Sequence, residues 1–114
     1  MDNASLQIDI ETAGTVTVII PLGDIDLSKS SDLRNALQPV LKENPSKIIV
    51  DLSQVPYMDS SGVATLIEGL QLSQQSNIEF VLCALTEGVQ SIIELARLDQ
   101  IFIILDSREQ ALGG

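Results

Sequence analysis

The stretch Lys47-Ile48-Ile49-Val50-Asp51-Leu52-Ser53-Gln54-Val55-Pro56-Tyr57-Met58-Asp59-Ser60-Ser61-Gly62-Val63-Ala64-Thr65-Leu66-Ile67-Glu68-Gly69-Leu70 decides the fold. Ile48 to Leu52 is a short, mainly aliphatic run, which reads as a strand buried on both faces. Val63, Leu66, Ile67 and Leu70 stand at i, i+3, i+4 and i+7, one apolar stripe of a helix. Between strand and helix lies a loop closed by Asp59-Ser60-Ser61. Side-chain oxygens of Asp and Ser accept from the free N–H groups of a first helical turn, so capping alone accounts for one of the three residues. Gly62 is a poor helix former and would let another backbone or side chain come close to the two hydroxyls. The loop also follows the carboxyl end of a strand, where open α/β sheets place their sites.

Outward from this stretch the pattern repeats. Leu6, Ile8 and Ile10 alternate with Gln7, Asp9 and Glu11, the signature of a half-buried strand. Thr12-Ala13-Gly14 reads as a turn, and Thr15 to Pro21 as the returning strand of a hairpin. Gly23-Asp24-Ile25-Asp26-Leu27 is a loop that delivers two carboxylates. Ser28 or Ser30 caps a helix to about Leu41, with Leu33, Leu37, Val40 and Leu41 inward and a break or kink expected at Pro39. Asn44-Pro45 ends that segment. Glu79 to Leu85 is a further buried strand. Thr86 caps a third helix with Val89, Ile92, Ile93 and Ala96 on one face. Phe102 to Leu105 is the last strand, and Ser107 opens a short terminal helix expected to fray. The order β-β-α-β-α-β-α-β-α predicts an α/β fold. An initial β-hairpin is followed by alternating parallel strands and helices, in a mixed sheet of about five strands.

Composition narrows the function. The 114 residues suit a single domain spanning 1–114, and 45% hydrophobic residues predict a packed core. Aromatic residues are 3%, so the core is aliphatic and a partner site is expected to lack aromatic anchors. The net charge of −10 argues against nucleic acid and against an anionic membrane surface. It favours a basic partner, or serves solubility alone. No Lys or Arg occurs between Ile48 and Ala96, so the serine loop has no cation close in sequence. A single cysteine, Cys83, sits in an apolar run and reads as an inert core thiol, in keeping with a reducing cytoplasm. With no histidine, Ser-His-Asp and Cys-His nucleophile systems and most zinc sites are excluded. No phosphate-cradling glycine loop is present either, so the chain is expected not to be an enzyme and to need no cofactor. Met1 to Ser5 has neither a basic nor an apolar character and is not expected to be a signal peptide, and no apolar run reaches the roughly 20 residues of a membrane span.

The run Val50 to Gly62 resembles the signature of STAS domains, specifically the bacterial anti-sigma factor antagonists (anti-anti-sigma factors). Gly23-Asp24-Ile25-Asp26 is similar to that family's Gly-x-x-Asp turn after the second strand, and Val81-Leu82-Cys83-Ala84 to its fourth strand. The resemblance spans about residues 5 to 112. Two departures stand out: Ala64 replaces a frequent second glycine, and Gln75-Ser76-Asn77 lacks the usual glycine pair before the fourth strand. The resemblance implies a partner-switching phosphoprotein. Its unphosphorylated form would bind an anti-sigma factor that is also a GHKL-type serine kinase, and so free a sigma factor. Phosphorylation by the kinase would end the binding, and a PP2C-type phosphatase would restore it. Ser60 matches the family's phosphoserine, and Asp26 and Asp59 its flanking acidic positions. Asp24, Asp26, Asp59, Ser60, Ser61 and Gly62 are then the expected partner-binding residues. Chemistry alone does not separate Ser60 from Ser61.

Two other classes compete. Asp51, near the end of the third strand, superficially fits the phosphoacceptor of a response-regulator receiver, but Ile101 to Ser107 lacks the Lys such a site wants. Asp24 and Asp26 offer hard oxygen ligands for weak Mg²⁺ binding, against the simpler reading of a solvated turn. The last class is a STAS scaffold or a transporter-associated regulatory subunit, which the fold by itself does not exclude.

Overall fold

The computed structural model describes residues 5–113. The reading of Met1 to Ala4 as no signal peptide, and of Gly114 as part of a fraying end, lies outside the described residues.

Among the described residues five strands form one mixed sheet in the order β1-β2-β3-β4-β5. They are β1 (Gln7–Ala13), β2 (Val16–Leu22), β3 (Lys47–Asp51), β4 (Glu79–Cys83) and β5 (Ile103–Leu105). Only β1 and β2 are antiparallel, with Ile10 opposite Ile19; β2, β3, β4 and β5 run parallel. The hairpin turn is Gly14-Thr15 rather than Thr12 to Gly14, with Gly14 at φ +64. That left-handed conformation suits glycine at the first place of a two-residue hairpin loop.

Helices α1 (Ser30–Lys42), α2 (Ser60–Gln75) and α3 (Glu87–Leu95) cover one face of the sheet. Ile19, Ile48, Val50, Phe80 and Leu82 meet Leu33, Leu37, Leu66, Val89 and Ile93 there. The other face carries Val18, Ile20, Ile49, Val81 and Cys83 around Ala111 of the short α4 (Arg108–Gly113). Both faces of β3 are therefore covered, which is why its sequence is apolar throughout rather than alternating. Cys83 is buried, and burial first, then the nearby Asp51, pushes its thiol up to about 11. That keeps it protonated, as expected of an inert core thiol.

Several local expectations are corrected. Neither Ser28 nor Ser30 caps α1: the residue before the helix is Lys29, whose side chain makes no capping bond. Asp26 supplies the anchor instead, through its carbonyl to the N–H groups of Lys29 and Ser30. The helix is not broken at Pro39 but runs through it. Asn35 and Pro39 are both exposed, so the carbonyl left without a donor faces water, while Leu33, Leu37 and Val40 hold both halves to the core. Strand β4 stops at Cys83, and Ala84 turns the chain with φ +57. Ile10 is 48% exposed because the helical cover reaches Leu6, whose N–H donates to Asp32 of α1, and not the far end of β1. Ala96 faces solvent. A single 3-10 turn, Leu98–Gln100, precedes β5. The terminal helix also bonds to the sheet: Lys47 Nζ donates to the Ala111 carbonyl at 2.7 Å, and Arg108 reaches Asp51 and Glu11.

Candidate functional site

The loops after β2 and β3 come together at the carboxyl ends of these strands. They are zipped by main-chain bonds. Gly23 N donates to the Gln54 carbonyl at 2.9 Å, Ile25 N to the Tyr57 carbonyl at 3.0 Å, and Asp59 N to the Ile25 carbonyl at 3.1 Å. Ile25 and Met58 form an isolated parallel bridge and are both fully buried, which anchors the loops from below. Gly23, at φ +120, takes a conformation that only glycine adopts without strain.

Asp59 stands at the head of α2. Its Oδ1 accepts the Ser61 N–H at 2.9 Å and the Ser61 hydroxyl at 2.6 Å. Its Oδ2 accepts the Leu27 N–H at 3.2 Å. The Ser61 hydroxyl bond above all, with help from backbone N–H groups and against the opposing effect of burial, draws its carboxyl below the usual 3.8. Asp26 forms a similar turn on the facing loop, with Oδ1 accepting from the Ser28 hydroxyl at 2.7 Å and the Ser28 N–H at 3.0 Å. The Ser28 hydroxyl is likewise the main reason that Asp26 lies below 3.8. Both carboxylates are thus charged at neutral pH, and each is half-exposed.

The two serines differ. Ser61 is half-buried and spends its hydroxyl proton on Asp59. Ser60, the first residue of α2, is exposed, and its hydroxyl has no partner among the described residues. Asp24 is exposed on the facing loop. Gly62 is buried, and the backbone that approaches it is the chain's own. A Cβ there would lie 2.5 Å from Met58 Cγ, 2.9 Å from Ile25 Cγ2 and 3.2 Å from the Ile25 carbonyl oxygen. Gly62 thus lets α2 seat against the loop after β2. Ala64, the departure from the family glycine, is exposed. Asn77 takes φ +59 where the missing glycine pair would stand.

Three features escaped the sequence reading. Tyr57 is 52% exposed and Leu27 is 77% exposed, on the two zipped loops. Tyr57, the only tyrosine, stands exposed between the buried Val55 and Met58. Gly88, in the first turn of α3, would bring a Cβ within 2.5 Å of the Pro56 carbonyl oxygen, so a third element presses on this loop. Thr86 joins in: its hydroxyl donates to the Val55 carbonyl at 2.7 Å and accepts from Val89 N at 3.5 Å.

Asp51 is not arranged as a phosphoacceptor. It is 4% exposed, accepts from Ser53 N at 3.0 Å through Oδ1, and binds Arg108 Nε at 3.0 Å through Oδ2. Asp24 and Asp26 belong to no group of three or more metal-ligating side chains among the described residues. No helix among them is long and apolar enough to cross a membrane.

Residues 7–111 match the model of the STAS domain. The chain belongs to the STAS domain family. It is 28% identical to the anti-sigma-F factor antagonist RsfB of Mycobacterium tuberculosis, over 96% of this chain and 89% of that protein. Its fold superposes on an anti-sigma factor antagonist from Mycobacterium paratuberculosis with a TM-score of 0.86 at 25% identity, covering 95% of this chain and 92% of that one. The Bacillus cell fate determinant SpoIIAA, solved in a phosphorylated form, shares the fold at TM-score 0.74 and 16% identity, covering 94% of this chain and 97% of that one. An anti-sigma factor antagonist is a regulatory protein and not an enzyme, which agrees with the reading from the side chains.

Proposed function

We propose that this STAS domain is an anti-sigma factor antagonist controlled by phosphorylation of Ser60. In its unphosphorylated form it binds, in the cytoplasm, an anti-sigma factor that is a GHKL-type serine kinase, and so releases a sigma factor. The kinase phosphorylates Ser60 and ends the complex; a PP2C-type phosphatase restores it. Asp24, Asp26, Asp59 and Ser61 frame the contact, and Gly62 supports it from beneath.

The observation that carries this reading is the contrast between the two serines. The Ser61 proton is committed to Asp59, whereas the Ser60 hydroxyl is exposed and uncommitted at the amino end of a long helix. A phosphate is tolerated there, because free N–H groups and the helix dipole favour an anion. It also adds about −1.5 to −2 charge beside Asp59, with no Lys or Arg between Ile48 and Ala96 to offset it. Buried under a partner, that charge is repelled and desolvated at once, while the free protein keeps its fold. The names of the relatives agree with the antagonist role.

The test is labelling with ATP by the GHKL-type anti-sigma factors of the source cell, followed by binding assays and far-UV circular dichroism. Wild type and Ser61→Ala take label; Ser60→Ala does not, and binds constitutively. Label that persists on Ser60→Ala and vanishes on Ser61→Ala moves the site by one residue. Absence of both label and binding with every such kinase overturns the proposal.

A further inference from the structure

We propose that Tyr57 and Leu27 are the apolar anchors of the partner interface, a reading that rests on the antagonist function above. Seven large hydrophobic side chains are exposed among the described residues, and single ones of this kind are ordinary on a protein surface. Ile10 and Ile103 lie on the two edge strands. Leu95, Ile101 and Leu112 belong to the carboxyl half of the chain. Only Leu27 and Tyr57 belong to the loops that hold Asp26, Asp59 and Ser60.

Their backbones are fixed by that same arrangement. The Tyr57 carbonyl accepts from Ile25 N at 3.0 Å, and the Leu27 N–H donates to Asp59 Oδ2 at 3.2 Å. Each is therefore held by bonds to the opposite loop, with Ile25 and Met58 fully buried beneath. Residues held open to water on a rigid frame do not contribute to the core, and little further backbone ordering is needed when a partner covers them. Tyrosine adds a large apolar face and a hydroxyl that keeps a water-like bond on burial, the reason it is enriched at binding hot spots. The occupant is the anti-sigma factor itself. Its matching surface is an apolar patch for Tyr57 and Leu27, bordered by basic side chains that face Asp24, Asp26 and Asp59. An apolar centre within a polar rim is the usual anatomy of a specific protein contact.

The experiment measures affinity for the immobilised, purified anti-sigma factor kinase of the source cell. The proteins compared are wild type, Tyr57→Ala, Leu27→Ser and Leu95→Ser. Leu95 is 85% exposed at the far end of α3 and serves as the surface control. Tyr57→Ala weakens binding about 30-fold and Leu27→Ser roughly tenfold, the range of a hot spot and of a flanking apolar contact. Leu95→Ser leaves it unchanged, and all three variants melt with wild type. Tyr57→Ala and Leu27→Ser binding as tightly as wild type overturns the inference and leaves the antagonist function standing. Weakening of equal size in Leu95→Ser also overturns it. Wild type that neither binds nor is labelled on Ser60 overturns both.

Discussion

The backbone N–H of Leu27 donates to Asp59 Oδ2 across 32 positions of sequence, while Asp59 Oδ1 takes the N–H and hydroxyl of Ser61. One carboxylate thus joins the loop after β2 to the first turn of α2. Asp59→Ala removes all three acceptor contacts and lowers the melting temperature by about 5 °C, a typical cost for a lost helix cap in a domain of this size. The deficit depends on pH. Asp59 lies below its ordinary value of 3.8 in the fold, chiefly through the Ser61 hydroxyl, so its contribution is present above 3.8 and is lost as pH falls through the lower folded value. Thermal melts of wild type and Asp59→Ala therefore converge in acid. A gap that stays constant from neutral to strongly acid pH refutes the assignment.

Arg108 gives a second pH-linked prediction. Burial pushes the Asp51 carboxyl upward, but bonds from Ser53 and the Arg108 guanidinium outweigh it, and the group lies below 3.8. Arg108→Ala leaves Asp51 facing an apolar sheet without its cation, and destabilises by about 1–3 kcal/mol at neutral pH. The half-exposed bond to Glu11 adds little to this. In the variant the Asp51 carboxyl rises and takes up a proton more readily. The stability gap to wild type therefore narrows below 3.8, where wild type loses the pair as well. Urea denaturation at neutral and acid pH reads both. An undiminished gap in acid shows that the guanidinium acts by packing alone.

The strand, loop and helix of residues 47–70 were legible because each rests on local signals: an aliphatic run, a capping aspartate and a 3.6-residue stripe. Thr86 was legible for the same reason. The start of α1 was not, since Asp26 anchors it through its own main-chain carbonyl, a bond no side-chain preference announces. Pro39 does not end α1, because Leu33, Leu37 and Val40 hold both halves of the helix to the core, and such packing is not visible in a local rule for proline. The pairing of Asp51 with Arg108 spans 57 positions and was invisible to any window of sequence. In the candidate site, Asp59, Ser60 and Ser61 were read from the capping pattern. The roles of Leu27, Tyr57 and Gly88 follow from which loops touch, and contact between distant loops leaves no periodic trace.

Two glycines make that contact testable. A Cβ on Gly88 meets the Pro56 carbonyl oxygen at 2.5 Å, and backbone does not swing aside as a side chain does. Alanine at 88 gains helix propensity of up to about 1 kcal/mol, but the forced displacement of α3 costs more, so Gly88→Ala is destabilised by about 1–2 kcal/mol net. Gly62→Ala meets Met58 and Ile25 side chains as well as the Ile25 carbonyl oxygen, and loses about 1–3 kcal/mol. Chemical denaturation measures each. A Gly88→Ala protein as stable as wild type, or more so, removes the close approach of α3 to the loop.

Charge supplies the last prediction. The protein carries a net charge of −10, and its segment 48–96 holds no Lys or Arg. Asp24, Asp26 and Asp59 present their charges at the loop surface with no ion pair to any of them among the described residues, Lys29 acting on Asp26 only at longer range. A basic partner is drawn to such a surface from beyond contact range, and salt shortens that range to roughly 8 Å at physiological ionic strength. Steering acts on the encounter and not on the docked, water-excluded contact, so the association rate falls by about tenfold or more between low and high salt. The dissociation rate, governed by Tyr57 and Leu27, changes far less. Surface plasmon resonance with the immobilised anti-sigma factor across a salt series separates the two rates. Asp24→Asn lowers the association rate and flattens its salt dependence, while leaving dissociation unchanged. An association rate independent of salt shows that the acidity serves solubility and not partner capture.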